Sequence, residues 1–231
     1  AISDLDKLVT ALLSTDAFKL QSVFTHLAAS EEAAHDAFSM EQYQRFEKAV
    51  SLLKTRTGFT FISHIANSAA AIRHPQMQMD MVRLGIGLYG VDSAASEKLN
   101  LQTVATLKST IAQLKKLEKG DTVSYNRKGV VENNATIATI RLGYADGFPR
   151  RLGNGAGQVW VNGKRVPVIG TVCMDMFMVD VSNIENVKAG DTVIIFGKEL
   201  PVVDIASAAQ TIPYEIMTGI SQRVKRVYYE E

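Results

Sequence analysis

An arginine is set into an apolar run at Met79–Gly90, where Arg83 is followed at once by Leu84, Gly85, Ile86 and Gly87. A guanidinium is costly to bury unless it has acceptors, so Arg83 is either the buried half of an ion pair or a ligand-facing group. The glycine at 85 lets backbone N–H groups approach a bound group closely. A second apolar run, Phe59–Ser68, ends in His64, Asn67 and Ser68, residue types that hold anions or cap helices. His26 follows Thr25 at the end of a third run, where it is a structural hydrogen-bonder or an acid/base group. Hydroxyls, amides and a cation collected at strand ends describe an anion site.

Further along, Tyr125 and Tyr144 each sit beside glycines and charges, in Val-Ser-Tyr-Asn-Arg-Lys-Gly and Arg-Leu-Gly-Tyr-Ala-Asp-Gly-Phe-Pro-Arg. Such tyrosines are packing residues with a wet hydroxyl, or acid/base groups. Cys173-Met-Asp-Met176 is a poor metal set, because it offers one thiol and no neighbouring histidine. The chain has no phosphate-binding Walker A sequence, no dinucleotide fingerprint and no nucleophile elbow.

These residues need elements to hold them. Leu5, Leu8, Val9, Leu12 and Leu13 repeat at helical spacing behind Ser3 as cap and Asp6 in the first turn. Lys19–Leu27 reads as a strand. Ser39 is the expected cap of a helix that turns Tyr43, Phe46, Val50 and Leu53 inward. Phe59–Ser68 and Met79–Gly90 read as two more strands, around a turn or short helix at Ala69–Arg73. Helices alternating with nearly continuous apolar strands describe parallel βα units, and about three strands fit.

The polar stretch Asp92–Asn100 reads as a linker or a last helix, after which β signals take over. Lys119-Gly-Asp-Thr-Val123 recurs as Gly190-Asp-Thr-Val193, each a turn feeding a strand. Asn162-Gly163 between Val159–Val161 and Val166–Ile169 is a hairpin signature. A short helix is expected over Ile205–Gln210. The fold expected is therefore α/β plus all-β: the last strands of a β/α barrel in residues 1–100, then a β-barrel-like domain in residues 101–231.

Twenty-five basic against 24 acidic side chains leave a net charge of +1, with no electrostatic case for nucleic acid or a membrane surface. No apolar run approaches the roughly 20 residues of a membrane span. The single cysteine excludes an intrachain disulfide framework and fits a reducing compartment. The chain starts without Met, directly in a helix-like segment, and reads as part of something longer.

Taken in order, His-Ile-Ala-Asn-Ser-Ala (64–69), Val-Arg-Leu-Gly-Ile-Gly-Leu-Tyr-Gly (82–90), Val-Ser-Tyr (123–125), Gly-Tyr-Ala-Asp-Gly (143–147), Cys-Met-Asp (173–175) and Tyr214-Glu215 resemble alanine racemase over essentially the whole chain. The resemblance implies a cytoplasmic bacterial enzyme that uses pyridoxal phosphate to interconvert L- and D-alanine for peptidoglycan synthesis. It also implies a TIM-like barrel, a β-rich C-terminal domain and a head-to-tail homodimer, each site combining one barrel with the partner's β domain.

Position by position, it implies that Ser68, the amides of Gly85 and Ile86, and the Tyr214 hydroxyl contact the cofactor phosphate. Arg83 faces the pyridine nitrogen and, unable to give up its proton, leaves the ring a weaker electron sink. By the same resemblance His26 joins that network and Tyr125 matches the catalytic tyrosine. Met174 resembles the residue whose backbone N–H helps hold the substrate carboxylate, and Tyr144 resembles a gate at the entrance, with Arg150 near it. Thr171 departs from the arginine common at its position in related enzymes.

The family's Schiff-base lysine, in a Lys-Ala-Asn-like motif, is absent, as are the carboxylate-clamping arginine and the modified lysine near it. Lys19 begins its strand, while Lys7 and Lys48 lie on helices. The chain alone is therefore expected to be inactive, the C-terminal portion of a racemase. A serine or broad-specificity racemase, and a non-catalytic binding or assembly module, are the alternatives.

Overall fold

A computed structural model describes residues 4–92 and 99–229. The chain divides into two compact units, Ala1–Gln102 and Thr103–Glu231.

In the first unit, helix α1 (Leu5–Leu13) buries Val9 and Leu12. Its cap position is Asp4; Ser3 lies outside the described residues. Strand β1 (Ser22–Phe24) pairs in parallel with β2 (Ile62–His64), Val23 opposite Ser63. Both strands are shorter than the apolar runs that contain them. Between them helix α2 (Asp36–Thr57) presents Phe46, Val50 and Leu53 to a core shared with Leu27, Phe61, Ile65 and Met77. Each such side chain, fully buried, contributes about 1.5–3 kcal/mol.

Ser39 does not cap α2. The helix starts three residues earlier, at Asp36, whose carboxylate suits a helix N-terminus and receives Arg73 at 2.7 Å. Ser39 is buried within the first turns instead.

Met79–Gly90 is not a strand. Met79 has φ 49°, and the Asp80 carboxylate takes both the N–H and the hydroxyl of Ser63, so the chain turns there. Two backbone bonds, Asp80 N–H to Ser63 O at 3.1 Å and Arg83 N–H to Ala66 O at 2.9 Å, hold the next residues beside β2. A 3-10 turn over Ile86–Tyr89 ends the segment. Between β2 and this segment, helix α3 (Ser68–Arg73) is capped by Asn67, whose side chain accepts the Ala70 N–H at 2.9 Å. The expected linker at Asp92–Asn100 falls largely on residues 93–98, outside the described residues.

The second unit is built on a closed, wholly antiparallel barrel. Its strands are β3 (Leu107–Leu117), β6 (Ala135–Ile140), β7 (Gln158–Val161), β8 (Lys164–Ile169), β9 (Phe177–Asp180) and β10 (Thr192–Phe196). Around the barrel the order is β10-β3-β6-β9-β8-β7, with Val193 opposite Val161 at the closure. Alternate residues point inward, so Val159, Val161, Val166, Val168, Phe177, Val179 and Val193 are buried.

The β7–β8 hairpin turns through Asn162 (φ 41°) and Gly163 (φ 88°), the two left-handed residues of a type I′ turn. A small pair, β4 (Thr122–Val123) with β5 (Gly129–Val130), stands apart from the barrel sheet. Helices α4 (Val202–Ala208) and α5 (Pro213–Thr218) complete the unit, α4 beginning before the expected Ile205.

Candidate functional site

Within the first unit, Arg83 is the centre of a cage of acceptors. Its Nη1 reaches His64 Nδ1 at 2.7 Å and the His64 carbonyl at 3.3 Å. Its Nη2 reaches the carbonyls of Thr25 at 2.8 Å and Ile65 at 3.2 Å, and His26 Nδ1 at 3.4 Å. All three carbonyls come from residues directly after or at the ends of β1 and β2, which is why strand ends gather here. The Phe24 ring stacks on His64 at 5.2 Å and lies 5.4 Å from the guanidinium carbon. Arg83 therefore has no carboxylate partner among the described residues; Asp80, its acidic neighbour in sequence, is engaged by Ser63.

Five contacts to Nη1 and Nη2 use the four N–H groups there, and the Nε–H meets no acceptor among the described residues. A guanidinium can only donate, so both histidines present an unprotonated Nδ1 to it. Burial and then the Arg83 charge hold the His64 imidazole below its ordinary pKa. A histidine whose folded pKa is depressed leaves stability full above the free value, about 6.5, and drains it as pH falls through that value. We expect His64→Gln to flatten that part of the pH profile, measured by denaturant unfolding between about pH 5 and 8. An unchanged slope would contradict a neutral His64 beneath Arg83.

Ser68 opens α3 and is buried, with its hydroxyl accepting the Gly85 N–H at 2.8 Å. Asn67 is taken up by capping α3 and by Ser30 and Glu31. The first unit thus brings together Arg83, His26, Ser68, Gly85 and Ile86. Ser68 Oγ accepts the Gly85 N–H and keeps its own O–H to donate, and Arg83 is a donor-only cation with one N–H to spare, so both can serve acceptor atoms of a bound group.

Within the second unit a different set converges. Tyr125, 67% exposed, opens a 3-10 turn between Ser124 (φ 70°) and Asn126 (φ 56°). Residues held at positive φ cost about 1–3 kcal/mol each, and strain of this kind collects at functional sites. Ser124 is pinned by donating to the Thr171 carbonyl at 2.6 Å, and lies 3.6 Å from the Cys173 thiol. The Cys173 carbonyl accepts the Tyr144 N–H at 3.0 Å, and the Met174 carbonyl accepts the Ala145 N–H at 3.0 Å. The loops carrying Tyr125, Tyr144 and Met174 are therefore joined around Cys173, and all three side chains are exposed.

Thr171 is buried, its carbonyl accepts the Ser124 hydroxyl, and as a threonine it brings no charge to this position. Tyr214, on α5, is 40% exposed. A cavity of about 320 Å³ lies between Tyr144, Phe148, Arg151, Thr211 and Glu215. No group of three or more metal-ligating side chains occurs among the described residues.

Two structural roles are not legible in the sequence. His64 is legible as a strand-end residue, but nothing in one sequence pairs it with Arg83. Arg223 carries no signal at all, although it bridges the Tyr144 and Met174 loops.

A short parallel β/α unit with a caged arginine, followed in the chain by a closed antiparallel barrel with exposed tyrosine loops, defines a two-unit class of α/β plus β-barrel fold. Residues 1–93 match the family model for the alanine racemase N-terminal domain, and residues 104–228 match that for the alanine racemase C-terminal domain. The chain belongs to the alanine racemase family.

It is 41% identical to the alanine racemase of Desulforamulus reducens over 225 residues, 95% of this chain and 60% of that protein. It is 40% identical to that of Desulfovibrio desulfuricans, covering 91% and 57%. Among solved structures, alanine racemase from D-cycloserine-producing Streptomyces lavendulae superposes with a TM-score of 0.92 at 34% identity, over 99% of this chain and 62% of that one. The Bartonella henselae enzyme, solved with covalently bound pyridoxal phosphate, gives 0.88 at 31%, over 98% and 62%. The chain thus spans about three fifths of the length of the relatives it matches.

Proposed function

We propose that this chain supplies the C-terminal portion of a pyridoxal-phosphate-dependent alanine racemase, and that the lysine bearing the cofactor comes from a segment outside these 231 residues. The observation that carries this reading is Arg83, held by carbonyls and two histidines with its Nε–H unclaimed among the described residues. An arginine so held offers a pyridine nitrogen a hydrogen bond without surrendering a proton. When bound, the cofactor supplies the electron sink that lets a proton leave the amino acid's α-carbon. By the family resemblance the phosphate contacts are Ser68, the amides of Gly85 and Ile86, and the Tyr214 hydroxyl; the Gly85 N–H is given to Ser68 Oγ, which leaves the serine O–H free to donate.

Racemisation needs a proton removed on one face of the α-carbon and returned on the other. Tyr125 serves one face and the lysine of the outside segment the other. Met174, through its backbone N–H, orients the substrate carboxylate, and Tyr144 lines the approach. The complete enzyme is a head-to-tail homodimer in which the tyrosine of one subunit meets the barrel of the other. Its place is the bacterial cytoplasm, where Cys173 stays a free thiol and D-alanine is consumed in cell-wall synthesis.

The test is a competition between alanine and serine in a polypeptide that joins this chain to the family's lysine-bearing segment. Alanine should be interconverted in preference. Preference for serine would move the assignment to a serine racemase, and turnover of neither would overturn the catalytic reading in favour of a binding module.

A further inference from the structure

We infer that Arg223 is a positioning residue for the substrate-carboxylate end of the site: it locks the Tyr144 turn to the Met174 loop and neutralises the carboxylate next to Met174. The inference rests on the reading of Met174 and Tyr144 given above and goes beyond it.

Arg223 Nε donates to Asp146 Oδ1 at 2.7 Å, and Nη2 donates to Asp175 Oδ1 at 2.6 Å. The two carboxylates belong to different loops, one in the 3-10 turn Tyr144–Asp146 and the other directly after Met174. Asp146 is the keystone of its turn. Its Oδ2 accepts the Gly143 N–H at 2.8 Å and its carbonyl accepts the Ser221 N–H at 3.0 Å. The Asp146 side chain is only 14% exposed, so it depends on these partners in a way that the 57% exposed Asp175 does not.

The two loops are already in backbone contact through Tyr144 N–H to Cys173 O and Ala145 N–H to Met174 O. Arg223 closes this strip from the C-terminal segment, and the paired acids hold its guanidinium firmly protonated. Two consequences follow for a bound amino acid. The Met174 backbone is fixed where its N–H must meet a carboxylate. The Asp175 charge, which would repel that carboxylate, is paired with Arg223.

The clamp is read first by amide hydrogen exchange on the full chain. Arg223→Met should speed exchange at Tyr144 and Ala145 by about tenfold or more, while amides of β7 and β8 keep their protection. Arg223→Lys should recover part of the loss, and Asp146→Asn should reproduce it with the arginine intact. Unchanged exchange at Tyr144 and Ala145, or a uniform rise that includes β7 and β8, would overturn the clamp.

In the polypeptide with the lysine-bearing segment, Arg223→Met should raise KM for alanine about tenfold with kcat changed by less than about threefold. Adding Asp175→Asn should bring KM back down. A fall in kcat at constant KM would overturn the link to the carboxylate end. Absence of racemisation in the unsubstituted polypeptide would count against the proposed function, with the exchange measurement still deciding the clamp.

Discussion

Replacing Tyr125 with phenylalanine, in a polypeptide that unites this chain with the lysine-bearing segment, should lower racemisation by about 10²–10⁴-fold, the range for loss of a positioned acid/base group. The loss should be one-sided. In the proposed mechanism two groups act on opposite faces of the α-carbon, so removing one leaves the other able to exchange the α-proton of a single enantiomer with solvent. Proton exchange from L- and D-alanine in deuterated water would then differ sharply, where the parent exchanges both.

The structural ground for the prediction is the way the tyrosine is held. Ser124 and Asn126 stand at positive φ on either side of it, and the Ser124 hydroxyl is tied to the Thr171 carbonyl at 2.6 Å. That backbone projects Tyr125 outward with most of its surface exposed. A side chain needed only for packing would not be presented on a strained turn. Equal loss of exchange from both enantiomers, or none, would remove Tyr125 from the proposed role.

The second large effect is on folding. A Cβ added at Gly143 would lie 2.1 Å from the Met174 carbonyl oxygen and 2.5 Å from the Asp175 nitrogen. Both are backbone atoms, so no rotamer change relieves the overlap. Ordinary overpacking costs about 1–3 kcal/mol, and Gly143→Ala should reach the top of that range or exceed it, about 3 kcal/mol. For a unit of this size that is a fall in unfolding midpoint of about 10 °C.

Gly163→Ala is the useful comparison. Nothing lies within 4 Å of its added Cβ, but its φ is 88°. Its cost is conformational alone, about 1–2 kcal/mol. If calorimetry found the two substitutions equally costly, close contact between the Gly143 and Met174 backbones would be wrong.

Some local signals of the sequence carry directly into the structure. Asn162-Gly163 marks its hairpin because only residues that tolerate positive φ suit that turn. The order of the His64–Ala69, Val82–Gly90 and Gly143–Gly147 strings carried the family, and with it the expectation of a β/α unit and a β-barrel. Arg83 stands out because a guanidinium inside an apolar run needs acceptors, and Ser68 because a hydroxyl closes the other run.

What was not legible depends on contacts distant in sequence. Met79–Gly90 has strand composition, yet the Asp80 carboxylate bonded to Ser63 turns it and leaves only two backbone bonds beside β2. Ser39 resembles a cap, but the helix starts at Asp36, whose carboxylate pairs with Arg73, 37 residues away. Closure of the barrel by β10 against β7 and β3 has no local signature. Arg223 lies 77 residues from Asp146 and 48 from Asp175, and only the fold brings the three together.

The central claim is that this chain holds the cofactor's ends and one of the two acid/base groups, but not the lysine. Interconversion of L- and D-alanine should be assayed with pyridoxal phosphate and the 231-residue chain alone, then with the chain joined to the lysine-bearing segment. The first should give no turnover and the second racemisation. Turnover by the chain alone would contradict the need for a lysine from outside it.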